Sequence, residues 1–332
     1  MAGVEVFSRI NLGKETTKGT AVARTRRFYG VAAGNFDIAD QFAFHEAENR
    51  GSRTRISAHA PTLTREMPKF KLQDIAGIGY DDLVLPLSCG FRGGQTGTGA
   101  GADKTWVLTQ ANTATNAPES MSVDVGDDVQ NWILDYVMPT RWMLSNDFGE
   151  FTHFEADCFG QQATKGAAST PAEVNPILIP SDLWTLKTAA TFAGLAGASV
   201  QANFLRTWSF EYQNGIKPRW YMDGTTALGQ HVETDIVGNL TMEFESTAYA
   251  VSEFVDKWRG GTIDYMRLKA TGPSLGASNY SIQLDLPVYW DEPKPLSSVD
   301  EGVNLYTTKG RQAFDGTNGL VITLVNTLAA IP

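Results

Sequence analysis

The sequence predicts a mainly β protein, and three observations support this fold class. Several segments alternate apolar and polar residues with a period of two, as half-buried strands do. Glycine (32 of 332 residues) and aromatic residues (11%) are abundant, which suits strands and tight turns. A helical period occurs in two short segments. Because 332 residues suit two cores of about 150 residues each, we expect two tandem, mainly β domains.

The chain begins with a polar, Thr-rich stretch, Gly13–Tyr29, that has no apolar period able to bury a face. We expect residues 1–29 to form an extended N-terminal arm that becomes ordered on assembly. The alternative is a disordered terminus, since chain ends are often poorly ordered.

Strand signals follow along the rest of the chain. The clearest segment places Tyr280, Ile282, Leu284 and Leu286 on one face and polar residues on the other. The other predicted strands are residues 152–158, 204–212, 240–244 and 320–324. Such patterns are typical of antiparallel sheets with one wet face.

One amphipathic helix is predicted from Val251, Phe254, Val255 and Trp258, which follow i, i+3, i+4, i+7 spacing. Ser246 or Thr247 could cap its start, and Gly260–Gly261 would end it.

An earlier segment, Tyr80–Phe91, is also apolar, but Pro86 predicts that its helix is short or irregular. Both helices end in the same way, with Arg92-Gly93-Gly94 and with Arg259-Gly260-Gly261, and each follows an alternating strand. We interpret this order as a diverged internal duplication.

The predicted domains are residues 30–165 and 166–332. The connector between them lies near Gln161–Pro176, which is small, polar and punctuated by proline. Gly90–Gly101 predicts a second flexible stretch, a surface loop within the first half.

Charge is distributed unevenly along the chain. Residues 1–75 carry 12 Lys and Arg against 8 Asp and Glu, whereas the remainder carries 15 against 29. An acidic body argues against a protein that grips nucleic acid, which needs clustered Lys and Arg. It permits nucleic acid to pass, because a negative wall repels phosphate over about 8 Å at physiological salt.

No motif predicts chemistry, so we expect neither an enzyme nor a metal or cofactor site. The loop GTGAGADKT lacks the glycine that a phosphate-binding loop needs before its lysine, since Asp103 precedes Lys104. His153, Glu155 and Asp157 share one strand face, which we interpret as the wet face of a sheet rather than as a catalytic cluster. The two cysteines match no metal or redox spacing and favour a reduced, cytoplasmic origin.

Four segments carry a resemblance to a known family. These are the arm pattern Gly-Lys-Glu-Thr-Thr, Gly-Thr-Ala-Val and a short basic run, then residues 135–160, 205–228 and 301–326. Together they resemble the major tail tube proteins of long-tailed, siphovirus-like bacteriophages. In residues 135–160 the resemblance implies a strand, a proline turn and a β-hairpin. In residues 205–228 it implies a hairpin with turns at Asn214-Gly215 and Asp223-Gly224, dipeptides that are hairpin signals themselves.

The resemblance implies two tandem β-sandwich or barrel domains, each with a short flanking α-helix, after an extended N-terminal arm. It also implies a structural virion protein of the tail, assembled in the host cytoplasm. Its partners would be itself, in trimeric rings of pseudo-hexameric symmetry stacked into a tube, together with a tape-measure protein and tail tip and terminator proteins. Genomic DNA would pass through the lumen without specific binding, and no membrane is expected. The expected inter-ring contacts are Lys14, Glu15, Thr16, Thr17, Arg24, Arg26, Arg27, Arg92, Gly93 and Gly94.

Within this expectation, Lys14, Arg24, Arg26 and Arg27 would meet an acidic surface of the adjacent ring. An alternative function is a carbohydrate-binding β-sandwich, which eight tryptophans and many strands would suit.

Overall fold

The computed structural model describes residues 8–32, 34–43, 61–99, 101–201, 205–300 and 302–332. It is mainly β, with 49% of the chain in strands and 8% in helix, so the predicted fold class is confirmed at this level. Residues 1–7 of the predicted arm, Phe204 of a predicted strand and Glu301 of the C-terminal segment lie outside the described residues.

The strands of the N-terminal half are short except for one. They are β1 (Arg9–Lys14), β2 (Arg26–Phe28), β3 (Phe36–Asp37), β4 (Gln41–Ala43), β5 (Thr62–Arg65), β6 (Lys69–Gln73), β7 (Lys104–Thr109), β8 (Met121–Gly126), β9 (Asn131–Asp147), β10 (His153–Phe159) and β11 (Gln162–Lys165).

The strands of the C-terminal half are longer. They are β12 (Trp184–Ala189), β13 (Leu205–Gln213), β14 (Ile216–Arg219), β15 (Gln230–Glu233), β16 (Val237–Glu245), β17 (Asp264–Ser274), β18 (Asn279–Trp290), β19 (Lys294–Asp300), β20 (Val303–Gln312) and β21 (Val321–Asn326).

Both predicted helices are present. The first, α1 (Val84–Gly90), is short and fully buried, and Pro86 lies in its first turn, where the missing N–H breaks no helical hydrogen bond. The second consists of α2 (Ala248–Ala250), a π-helical turn (Val251–Val255) and α3 (Asp256–Gly260). Thr247 caps its start, its Oγ1 accepting from the Ala250 N–H at 3.2 Å.

The left-handed Gly261 (φ 59°) ends this second helix, as glycine at this position often does. Two short 3-10 turns, Ser181–Leu183 and Ala193–Ala196, complete the helical elements of the described ranges.

Three antiparallel ladders make up the main sheet network. The polar ladder, named for its outward face, runs β6–β10–β9–β13–β16–β20–β19. The second ladder runs β12–β17–β18–β21–β7. The third runs β2–β1–β8–β9–β11.

Most of the core lies between these ladders, in one large cluster of buried side chains from both halves of the chain. A second, smaller cluster includes Met138 and Ile216. Trp184 of β12 meets Trp208 of β13 at a ring distance of 4.6 Å. Phe254 of the second helix stacks on Phe244 of β16 at 4.8 Å. The chain therefore has β-sandwich character, with its helices packed against the buried side of the polar ladder.

The strand β9 belongs to two ladders. Residues 131–137 pair with β8 and β11, whereas residues 138–147 pair with β10 and β13. Pro139, predicted at a turn, instead lies inside this strand, next to a register shift at Asp157/Cys158 of β10. A proline has no N–H to pair, so a bulge is where a sheet tolerates it.

Strand pairing crosses the predicted boundary at residues 165 and 166. β9 pairs with β13, and β7 pairs with β21. The element order β6–α1–β7 parallels β16–second helix–β17. The division into tandem domains and the duplication stay predictions.

Candidate assembly surfaces

The predicted arm is folded against the body in its described part. β1 pairs with β8 over Arg9–Lys14 and with β2 over three residues, and Ile10 and Leu12 are buried. Arg9–Lys14 and Arg26–Phe28 are therefore strands of the body's sheet rather than an extended arm, while ordering on assembly stays a prediction. The stretch from Gly13 onward is polar because much of it forms a loop over this sheet, while the apolar alternation lies just before it.

Glu15 is the anchor of this loop. Its side chain is buried, and its carboxylate accepts hydrogen bonds from the hydroxyls of Ser120 (2.5 Å) and Ser122 (3.0 Å). It also accepts from the N–H groups of Tyr136 (2.8 Å) and Gly19 (2.9 Å). One carboxylate thus joins the loop, β8 and the point at which β9 changes ladders. The next residues, Thr16 and Thr17, are exposed.

The basic residues of the segment form ion pairs within the chain. Lys14 pairs with Glu119 at 2.8 Å, and Arg27 pairs with Glu173 at 2.5 Å.

The two arginines between them are more deeply set. Arg24 pairs with the fully buried Asp124 at 2.8 Å. Arg26 donates two hydrogen bonds to Oδ1 of Asp82, at 2.7 and 3.0 Å. These four cations were expected to meet an acidic neighbour, but the carboxylates that they meet here belong to their own chain.

The Arg92-Gly93-Gly94 turn lies beside the start of the arm. The Gly94 N–H donates to Oε1 of Glu119 at 3.1 Å, and the same oxygen pairs with Lys14. The Arg92 guanidinium donates to the Thr115 carbonyl at 3.0 Å. A Cβ on Gly93 would lie 2.2 Å from the Ala117 carbonyl oxygen, so this position requires glycine. Lys14 and this turn therefore meet, whereas Arg24, Arg26 and Arg27 lie at other carboxylates.

The outward face of the polar ladder, here called the polar face, is continuous across both halves of the chain. One row of laterally paired residues crosses five strands. Its members are Glu155, Met143, Glu211, Asn239 and Arg311. The residues that alternate with the outward ones along each strand point into the core, and Trp142, Phe210 and Leu240 among them are fully or almost fully buried.

Met143 of this row and Val237 of β16 are apolar, but most of the other outward residues are polar, and acidic and basic side chains are mixed among them. They are Lys71, Gln73, Arg141, Ser145, His153, Asp157, Thr207, Ser209, Gln213, Thr241, Glu243, Glu245, Thr307 and Lys309.

Arg141 is the centre of an ion-pair network on this face. Its guanidinium donates to Glu155 (2.8 Å), Asp157 (3.1 Å) and Glu211 (3.3 Å). Burial alone would raise the pKa of Glu155, but hydrogen bonds from Lys71 and Arg141 hold that pKa below its usual range. Three carboxylates therefore engage the one arginine in the middle of this face, which weakens its ability to bind a passing phosphate.

The two edges of the polar ladder differ. At one edge, β6 is covered only by the two-residue strand β3. At the other edge, β19 pairs with β20, and no strand of the described ranges covers its outer side. Leu296 and Val299 of β19 are 65% and 66% exposed. An open edge with apolar side chains favours pairing with another chain.

The predicted wet face of β10 is confirmed. His153 lies 2.7 Å from Asp74, which also accepts from two N–H groups, while Glu155 and Asp157 bind Arg141.

Within the described ranges, no group of His, Cys, Asp and Glu has the arrangement of a metal site. Cys89 and Cys158 are buried and free. None of the helices in those ranges has the length and hydropathy that crossing a membrane requires.

Sequence reasoning missed the polar face as a surface. Each strand alone reads as half-buried and polar on one side, and the signal that joins them is register, which is visible only after pairing. Comparisons with protein-family models and with curated proteins give no match to this chain.

Proposed function

We propose that this chain is a structural protein whose copies assemble into rings, and that these rings stack into a hollow tube. The single observation that carries this proposal is the polar ladder, one antiparallel sheet to which each half of the chain contributes about equally. β6, β10 and β9 come from the first half, and β13, β16, β20 and β19 from the second. The resemblance of the sequence to phage tail tube proteins supports the same function.

In this proposal the polar ladders of neighbouring copies join edge to edge and the polar face lines the channel. Joining would cover the exposed apolar residues of β19, which otherwise invite aggregation. The predicted duplication would give each chain two similar halves, so three chains would close a ring with near six-fold symmetry. The assembled tail tube would hold a tape-measure protein and meet tip and terminator proteins.

A channel for DNA must be polar without holding phosphate. The polar face meets this need because its carboxylates engage Arg141 and lie near its other cations. DNA would pass without specific binding, and the chain would perform no catalysis.

The experiment that tests this proposal is negative-stain electron microscopy of the purified chain over a range of concentrations and after long storage. We expect rings with a central channel, with three-fold averages, and stacks of such rings at high concentration. Compact particles that never associate, even when the chain is co-expressed with tail-tip components, would contradict the proposal. If those particles also bound oligosaccharides, the carbohydrate-binding alternative would stand.

The channel assignment has a separate test. Replacing Glu155, Asp157 and Glu211 by Gln, Asn and Gln removes the carboxylates that engage Arg141, so we expect duplex DNA to be retained by the variant and not by the wild type. Retention would be measured by fluorescence anisotropy at 50 and 200 mM salt, because phosphate binding weakens steeply over this range. Equal anisotropy for both proteins would contradict the assignment of this face.

A further inference from the structure

The polar face has two ends with different shapes. Asp147 pairs with Thr207, which pairs with Glu243, whereas Arg141 pairs with Gln213, which pairs with Val237. These two rows are six residues apart along each strand, or about 20 Å. The residues that follow the row of Asp147 and the residues that follow the row of Arg141 therefore lie at opposite ends of one sheet. The row of Asp147 marks the first end, and the row of Arg141 marks the second end.

A tip projects at the first end, where β9 turns into β10. Phe148 is 69% exposed, and the Arg206 guanidinium lies 5.4 Å from its ring centre. Gly149 has a φ of 88° and its N–H donates to the Ser181 hydroxyl at 2.9 Å, which fixes the turn. The next residue, Glu150, is exposed. The tip thus presents an aromatic ring, a cation and a carboxylate on an ordered turn.

A cleft of about 880 Å3 lies at the second end. It is formed by residues 110–116, 233–239 and 311–314, and its volume far exceeds the roughly 30 Å3 of a water molecule. Phe314 is 41% exposed in this cleft. The side chain of Arg311 is 73% exposed and pairs at the surface with Asp291, at 3.1 Å. Asp235 is exposed at its wall.

Each end carries an aromatic ring, a cation and a carboxylate, so each charge at one end has an opposite charge at the other end that it could face. The tip has Phe148, Arg206 and Glu150, and the cleft has Phe314, Asp235 and Arg311. We propose that the tip of one copy docks in the cleft of the next copy, with Glu150 facing Arg311 and the two aromatic rings in contact. This inference rests on the proposed function, because it assigns the contact through which the rings would stack.

Such a contact joins unlike surfaces that lie at opposite ends of the sheet, so it can repeat from copy to copy along the direction of the strands. The tip lies on β9 and the cleft on β16 and β20, two to three strands away in the polar ladder. Docking therefore requires that successive copies are displaced around the axis by about 10–14 Å, at 4.7–4.9 Å for each strand.

A charge swap tests the docking. The variants are Glu150→Lys, Arg311→Glu and the double variant that carries both. We expect each single variant to need at least a tenfold higher concentration than the wild type to form stacks, because like charges then face each other. The double variant restores the attraction and should stack at the wild-type concentration. Stacking would be followed by sedimentation velocity and negative-stain microscopy in low salt.

Asp256→Lys is the matched control, because it makes the same charge change on the exposed side of a helix that packs on the buried side of the ladder. We expect it to stack like the wild type. If the single variants stack normally, or if the double variant fails to recover, the docking is overturned while the stacks of the wild type leave the proposed function standing. A wild-type chain that never forms rings or stacks, even when it is co-expressed with tail-tip components, overturns both.

Discussion

Removing the Glu15 carboxylate should loosen the N-terminal segment and destabilise the whole fold. Glu15→Ala leaves four donors without their acceptor: the hydroxyls of Ser120 and Ser122 and the N–H groups of Gly19 and Tyr136. A hydrogen bond to a charged group contributes about 1.5–3 kcal/mol. The hydroxyls can turn to other acceptors, so the two N–H groups dominate, and we expect a loss of about 3–5 kcal/mol.

The conformation of Tyr136 adds to this expectation. Its φ is 50°, in the left-handed region that a side chain disfavours, and it lies where β9 passes from one ladder to the other. Positive φ at a residue other than glycine costs about 1–3 kcal/mol and persists only when its surroundings hold it. The bond from its N–H to Glu15 is one such restraint. Glu15→Gln keeps the size but not the charge, so its effect should be intermediate.

The assay is chemical and thermal unfolding, together with trypsin cleavage of the folded protein. Since larger domains lose about 2 °C or more for each kcal/mol, Glu15→Ala should lower Tm by about 5–10 °C and speed cleavage after Lys18 and Arg24. The control is Thr17→Ala, an exposed position in the same loop, where surface changes stay within about 0.5 kcal/mol. If Glu15→Ala is as stable and as resistant as Thr17→Ala, the segment is not anchored as described.

Two further predictions concern pH. Burial raises the pKa of Asp135 to about 6, so the folded protein holds this proton more tightly than the unfolded chain does. The contribution of this proton to the free energy of unfolding is present at low pH and is lost as pH rises through about 6. Asp135→Asn should therefore be more stable than the wild type at pH 8, by on the order of 1 kcal/mol because water reaches the group, and equal to it near pH 4, as measured by urea unfolding. Burial and the nearby Lys18 lower the pKa of His231 to about 4, so its stabilisation is present above pH 6.5 and is lost as pH falls towards 4. His231→Asn should flatten stability over this window, and an unchanged acid slope would contradict the assignment.

The elements that could be predicted from sequence are those whose signal is local. The alternation of residues 280–286 predicted part of β18, and Ile282, Leu284 and Leu286 are buried as expected. Ser281 and Asp285, predicted on the wet side of the strand, are buried as well, and Asp285 pairs there with Arg267. The i, i+3, i+4 pattern and Gly261 predicted the second helix and its end. Both kinds of signal are local in sequence. An apolar period can be read from a few consecutive residues, and a glycine that ends a helix follows directly after the helical pattern.

The arm was mispredicted because its partners are distant in sequence. Glu15 reads as one more polar residue until Ser120, Ser122 and Tyr136 surround it, more than 100 positions away. Likewise, the basic run in the sequence predicts a binding patch, but in the structure Arg24 and Arg26 pair with Asp124 and Asp82 of the same chain. Counting charged residues along the chain gives the net charge of a segment, but it does not show which acidic residue pairs with which basic residue.

The same limit explains why the candidate surfaces could not be found from sequence, and it bears on what each surface can do. Phe148 and Phe314 are separated by half the length of the chain, and only the register of β9, β13, β16 and β20 shows that they stand at opposite ends of one face. The cations of the arm bind carboxylates of their own chain, so they cannot also supply the charge for contacts between copies without giving up those pairs. Arg311 also pairs with a carboxylate of its own chain, Asp291, but both of these side chains are exposed. An exposed pair contributes little, so Arg311 and the exposed Glu150 can enter such contacts at lower cost. We therefore expect association between copies to depend on the ends of the polar ladder more than on the N-terminal segment.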